Sequence, residues 1–170
     1  MDKLIFVLSV LVSGQAIANA SCPNDAPIRF DKADNQILLD NKHRLMWMDC
    51  VIDPTTKTCL SDNQSGFSVT GKQALEVATS ATIEGHSDWR LPNVKELVSL
   101  FAHECEAENA KLIMQLPDRL NYVWTSTTAS SGSSAGLLAL STSSTQLVPW
   151  AISRSGPAVL LVRNIDQTVE

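Results

Sequence analysis

The sequence predicts one α+β domain in which two helices pack on short antiparallel strands and disulfides cross-link the chain. Three observations lead there. Two amphipathic segments carry complete helix-start signals, short apolar stretches alternate with Asp-, Asn-, Gly- and Ser-rich turns, and the chain holds four cysteines.

Met1-Asp2-Lys3, the apolar run Leu4 to Val12 and the small-residue end Ala18-Asn19-Ala20 have the three regions of a secretory signal peptide. The run is too short to span a bilayer. Residues 1–20 are therefore expected to be removed, leaving 21–170 as a single exported domain in the periplasm or at the cell surface or beyond it. About 150 residues suit one sizeable core. Hydrophobic residues at 44% and charged residues at 18% describe a globular chain. The formal net charge is -5 and the basic residues are scattered, so nucleic acid, polyanions and anionic membrane surfaces are poor candidate partners.

An even number of cysteines in an exported chain suggests two disulfides, with three possible connectivities. The favoured pairing is Cys50 to Cys59, closing a small polar loop with a turn at Asp53-Pro54, and Cys22 to Cys105, tying the N-terminal tail to the end of the main helix. The second loop is much longer, and on the chain-entropy model its closure contributes roughly 4 to 5 kcal/mol. A Cys-x8-Cys spacing without a His pair is not a zinc pattern, and no metal is expected.

Strands are expected at Ile28 to Phe30, Gln36 to Leu39 and Arg44 to Met48, with Asp40 to His43 as a hairpin connection. Leu45 and Trp47 alternate with Met46 and Met48, so one pair faces the core in either register. Thr70 and Gln73 form a capping box for a first helix, about Gly71 to Thr82, whose Ala74, Val77, Ala78 and Ala81 permit close packing on the sheet. Gly85 and Pro92 then mark the passage from an extended segment into a second helix. Asn93 is its N-cap, Glu96 completes the box, and Val94, Leu97, Val98, Leu100 and Phe101 give an apolar stripe to about His103. Between the helices, Asp88 and Arg90 are expected to form a buried or half-buried pair fixing the turn, or else to face a ligand, while Trp89, Leu91 and Pro92 are buried. Strands follow at Tyr122 to Ser126, Gly136 to Ser141, Gln146 to Ala151 and Ala158 to Val162, with a flexible Ser/Gly turn inside the tract Thr125 to Thr145.

The run Asp88-Trp89-Arg90-Leu91-Pro92-Asn93-Val94-Lys95-Glu96-Leu97 resembles the signature of the Lcl C-terminal domain family, also known as domain of unknown function 1566 and named for a collagen-like adhesin. Leu45-Met46-Trp47, Cys50 and Cys59, Ala74 and Ala78, Trp124-Thr125-Ser126-Thr127 and Leu160-Leu161-Val162-Arg163 fit in the same order, so the resemblance spans most of the chain from Arg29 onward. It implies a C-type-lectin-like fold, a relation also suggested by the similar Arg-Leu-Pro turn of formylglycine-generating enzymes. It implies no reaction.

Catalytic templates fail one by one. Gly132-Ser133-Ser134-Ala135-Gly136 matches a nucleophile elbow in letters, but the three histidines, His43, His86 and His103, all precede Ser134. There is no phosphate loop, no His-x-x-x-His and no EF-hand pattern, and the spacing of Asp49, Asp53, Asp62 and Glu104 does not define a calcium site. No cofactor is expected.

What remains is binding. Trp150 and Arg154, with Tyr122, are the candidate ligand-binding residues, since Trp, Tyr and Arg dominate interface hot spots. The competing reading buries Trp150 in the core and leaves Arg154 as a solvated turn residue. The expectation is a non-enzymatic exported module that recognises a protein or glycan at the envelope or surface, in the manner of an adhesin or appendage component. The alternative is a periplasmic inhibitor, immunity protein or assembly subunit that binds one protein.

Overall fold

Ala158, Val159, Leu160, Leu161 and Val162 are all fully buried. An extended chain sends successive side chains to opposite sides, and this segment divides two hydrophobic cores. Ala158, Leu160 and Val162 enter one core, while Val159 and Leu161 enter the other. Its backbone is bonded on both flanks as well. Ile52 and Met48 donate to the carbonyls of Val159 and Leu161 at 2.9 and 3.0 Å, while Ala158 donates to Tyr122 and accepts from Trp124 at 2.8 and 3.0 Å on the other side.

The computed structural model describes residues 29–33, 36–60, 67–101, 114, 116–117, 119–131 and 134–165. The expected signal peptide, Cys22, Cys105, His103 and Ile28 lie outside them. One antiparallel sheet has the order β1-β2-β3-β7, from β1 (Phe30–Ala33), β2 (Ile37–Asp40), β3 (Leu45–Met48) and β7 (Val162–Asn164). The other has the order β4-β5-β6, from β4 (Tyr122–Ser131), β5 (Ser134–Ser141) and β6 (Leu147–Ala151). Two helices complete it: α1 (Gly71–Ser80, 10 residues) and α2 (Val94–Phe101, 8 residues).

The fold class expected from the sequence is corrected by this arrangement. Among the described residues the protein is mostly β, with seven strands in two sheets and two short helices, and it is not the α+β C-type-lectin-like arrangement. The difference comes partly from the Ser/Thr-rich stretch between the strands expected at Tyr122–Ser126 and Gly136–Ser141, which reads as a flexible turn but lengthens those strands to 10 and 8 residues. Thr and small side chains fit a pleated surface, and here they extend the hairpin well past Trp124. Three residues of β4, Thr125 to Thr127, bulge opposite Leu138. The buried Thr125 hydroxyl donates to the Leu138 carbonyl at 2.8 Å, replacing the ladder bond that the bulge removes.

Both helices begin where their capping signals place them. Thr70 and Gln73 exchange the two bonds of a capping box, and Asn93 and Glu96 do the same at 3.0 and 2.8 Å. α1 stops before Thr82 because Thr79 and Ser80 turn their hydroxyls back onto the carbonyls of Leu75 and Glu76, and Ala81 is already extended. α1 buries Ala74, Val77 and Ala78 in the core containing Trp124 and Leu137, and α2 buries Leu97, Leu100 and Phe101 in the core containing Val123 and Leu140. The helices thus cover opposite faces of the second sheet. Leu45 and Trp47 enter one core and Met48 the other, so both faces of β3 are used.

Other boundaries shift for local reasons. Gln36, expected in a strand, has φ 70 and forms the turn before β2. The last strand begins its ladder at Val162, after the partition segment, and pairs with β3 through Asn164. Cys50 and Cys59 are joined as expected, across a sequence separation of 9. β6 lies at an edge of its sheet. Ile152 donates to Ala135 and Ser141 to Gln146, so by alternation Val148 and Trp150 bond to β5, and Leu147, Pro149 and Ala151 turn their backbones outward.

Candidate functional site

Tyr122 and Trp124 on β4 and Trp150 on β6 share one face of the second sheet, and they meet across β5 because Ala139, paired with both Trp124 and Val148, is small. The Tyr122 and Trp150 rings lie 5.3 Å apart at 51°, and Trp124 meets Trp150 edge-on at 6.5 Å and 79°. A turn in which Arg154 donates its N–H to the Ala151 carbonyl folds the chain back and sets the Arg154 guanidinium 5.4 Å above the Trp150 ring. This is cation–π distance. The three residues singled out in the sequence are therefore brought together. Tyr122 and Trp150 are half-buried and Arg154 is exposed.

Two glycines shape the site. A Cβ on Gly156 would lie 2.3 Å from Trp150 Cζ2, and one on Gly136 would lie 2.3 Å from the Trp150 carbonyl oxygen. Ring and strand come this close only because both positions lack a side chain. The turn is docked on the start of α1, where Lys72 donates to Ile152 at 3.3 Å and Gly156 to Val69 at 3.3 Å. Trp124 is core: it is fully buried, and its indole N–H donates to the Val69 carbonyl at 3.0 Å. Trp150 is intermediate between the two readings, with its Nε1 enclosed and without a hydrogen-bond acceptor while part of its ring is at the surface.

Trp89, Leu91 and Pro92 of the Asp88 to Pro92 motif are buried, Trp89 3% and Leu91 2% exposed, while Asp88 reaches the surface. Asp88 and Arg90 do not pair with each other, which corrects the expectation. Asp88 accepts from Arg163 Nε at 2.7 Å, and Arg90 grips Glu96 with two bonds of 2.8 Å and also donates to Asn164 at 2.9 Å. Each ion found a better-placed partner on a different element. The Arg163 bond, against some desolvation, holds the Asp88 carboxyl below its usual value. Burial pushes the Glu96 carboxyl up, but the Arg90 fork, the Asn93 N–H and the nearby charges of Arg90 and His43 outweigh it and leave it lowered.

A second polar constellation was missed from the sequence. Arg29 donates to both oxygens of the fully buried Asp40 at 3.0 and 2.6 Å, and to the Ser99 carbonyl and hydroxyl at 2.8 and 3.0 Å. His43 Nδ1 lies 2.9 Å from both Asp40 Oδ2 and Arg29 Nη2. Burial raises the Asp40 carboxyl, but the bonds from Arg29 and His43 and the Arg29 charge prevail and lower it. The only advance signal was an Asp three residues before a His in a hairpin. Arg29 and Ser99 could be added only in three dimensions.

The remaining candidates are structural. Asp49 is buried and lies 2.9 Å from Lys32 Nζ; its carboxylate and the sulfurs of Cys50 and Cys59 cluster within 4.8 Å, but those sulfurs are bonded to each other. Asp53 caps its own loop, accepting from Thr55 and Thr56 at 2.6 and 3.0 Å. Asp62 and Glu104 lie outside the described residues. Ser134 opens a strand directly after a strand, where a nucleophile elbow requires a following helix. Among the described residues no helix is long and apolar enough to cross a membrane.

The family model of the Lcl C-terminal domain matches residues 36–163. No curated protein matches the chain.

Proposed function

Since the chain belongs to the Lcl C-terminal domain family, we propose that it is an exported, non-enzymatic binding module that recognises a protein or glycan ligand at the cell envelope or surface. The observation that carries this reading is the stack of Arg154 on Trp150 beside Tyr122, 5.4 and 5.3 Å apart, at the surface end of an otherwise packed aromatic cluster. An aromatic face offers area at little entropic cost, and a guanidinium beside it adds directional donors. Such a pair serves a sugar ring or a protein side chain equally. The Cys50–Cys59 bond supports the export reading, because disulfides persist in oxidising compartments.

The test combines affinity capture from the native envelope with a glycan array, using the intact protein and the variants Trp150→Ala and Arg154→Ala. Arg154 is exposed, so its removal should weaken binding while leaving thermal unfolding unchanged. A single protein retained in fixed proportion selects the inhibitor or assembly reading. Unaltered binding by both variants removes this surface from consideration.

A further inference from the structure

A second site is built from elements other than those of the aromatic stack. A cleft of about 340 Å³ opens between the β2–β3 turn, α2 and the end of β7, lined by His43, Leu45, Lys95, Glu96, Ser99 and Asn164. Its polar walls are held from behind by two arginines. Arg29 fixes Ser99 and contacts His43, and Arg90 fixes Glu96 and Asn164.

What matters is which hydrogen-bonding groups this scaffold leaves over. Both Glu96 oxygens accept from Arg90, and one also accepts from the Asn93 N–H. Both Asp40 oxygens accept from Arg29. Ser99 Oγ accepts from Arg29 and donates to the Glu96 carbonyl. Arginine is a donor only, so the Asn164 atom facing Arg90 is its oxygen and its amide N–H groups are left over. His43 Nδ1 stands 2.9 Å from both Arg29 Nη2 and the Asp40 carboxylate, so that pair fixes the ring, which lines the cleft. Lys95 is exposed, and among the described residues its ammonium makes no bond or ion pair. Among the described residues the carboxylates of the cleft are satisfied, and the Asn164 amide and the Lys95 ammonium are left over.

The charges give the same result. Among the described residues Arg29 offsets Asp40 and Arg90 offsets Glu96, which leaves Lys95 as the cation of the cleft without a carboxylate partner in a protein of net charge -5. We propose that this cleft binds a small carboxylate, held by Lys95 Nζ and the Asn164 amide beside the His43 ring. A cation and an amide donor with no acceptor of their own are what an anion needs. The carboxylate can belong to an acidic sugar or to a peptide terminus.

The test is an NMR titration of the disulfide-bonded protein with acetate, D-galacturonate and N-acetylglycine, up to about 50 mM and at matched ionic strength. The His43 ring and the Lys95 side chain are followed. Saturable shifts at both, weakened about fivefold in Lys95→Ala and in Asn164→Ala, are expected. The tighter of galacturonate and N-acetylglycine names the source. Absence of saturation for all three overturns the site. So do equal shifts with chloride, or shifts that persist unchanged in both variants. Trp150→Ala should leave this titration unchanged, which separates its outcome from that of the aromatic surface.

Discussion

Arg163 donates to Asp88 across 2.7 Å and so joins two distant parts of the family signature, the Asp-Trp-Arg-Leu-Pro turn and the closing Leu-Leu-Val-Arg strand. The arginine side chain is 4% exposed and the aspartate 55%. A buried cation meeting a carboxylate at the surface holds the turn before α2 against β7, where Arg90 and Val162 also exchange two backbone bonds of 2.9 and 3.0 Å. Asp88→Ala should therefore destabilise the protein by about 1 kcal/mol, less than a fully buried pair because Asp88 is half in water. The urea midpoint should fall with an unchanged slope.

Acid should unfold the protein through a small set of carboxylates. Asp40, Asp88 and Glu96 are lowered from ordinary values of 3.8, 3.8 and 4.5. A lowered folded-state value means that the unfolded chain binds protons first as pH falls. Their contribution is complete above those ordinary values and is lost as pH drops through the folded ones. Urea midpoints should be flat on their account above about pH 5 and fall steeply below about pH 4. Asp40→Asn should make that fall shallower.

Gly156→Ala should displace the Trp150 ring, since the added methyl would lie 2.3 Å from Cζ2. Overpacking of this kind costs about 1 to 3 kcal/mol. In a Trp150→Ala background the same substitution should be nearly neutral, because the atom it meets is gone. A double-mutant cycle by urea denaturation reads the coupling directly.

Replacing Cys50 and Cys59 together by Ser should lower stability by about 2.5 kcal/mol, the chain-entropy value for a loop of this separation. The Asp53 loop bonds and the Leu60 to Val51 backbone bond of 2.8 Å should keep the fold otherwise intact, giving a lower melting temperature with an unchanged far-ultraviolet spectrum.

Local chemistry was readable in advance and long-range pairing was not. Thr70 with Gln73 and Asn93 with Glu96 are three residues apart, so both helix starts were legible. The small Cys50 to Cys59 loop was legible for the same reason. Asp88 lies 75 residues from Arg163 and Arg29 lies 70 from Ser99, and no periodicity relates them. The balance of helix and strand was misjudged because the Ser, Thr and Gly between 127 and 135 look like loop by composition. Pairing across β5 makes them sheet. Tyr122, Trp150 and Arg154 were singled out as candidates by residue type, while the His43 cleft carried no such mark, being assembled from single residues on several elements.

Pro149 has one more consequence. Its nitrogen carries no hydrogen and points out of the sheet at the middle of the outermost strand, between Leu147 and Ala151. A strand offered by another molecule would find the row of donors interrupted and could not zip onto it. This edge is thereby kept from growing into ribbons with copies of the chain, and a molecule docking along it would have to be gripped by side chains.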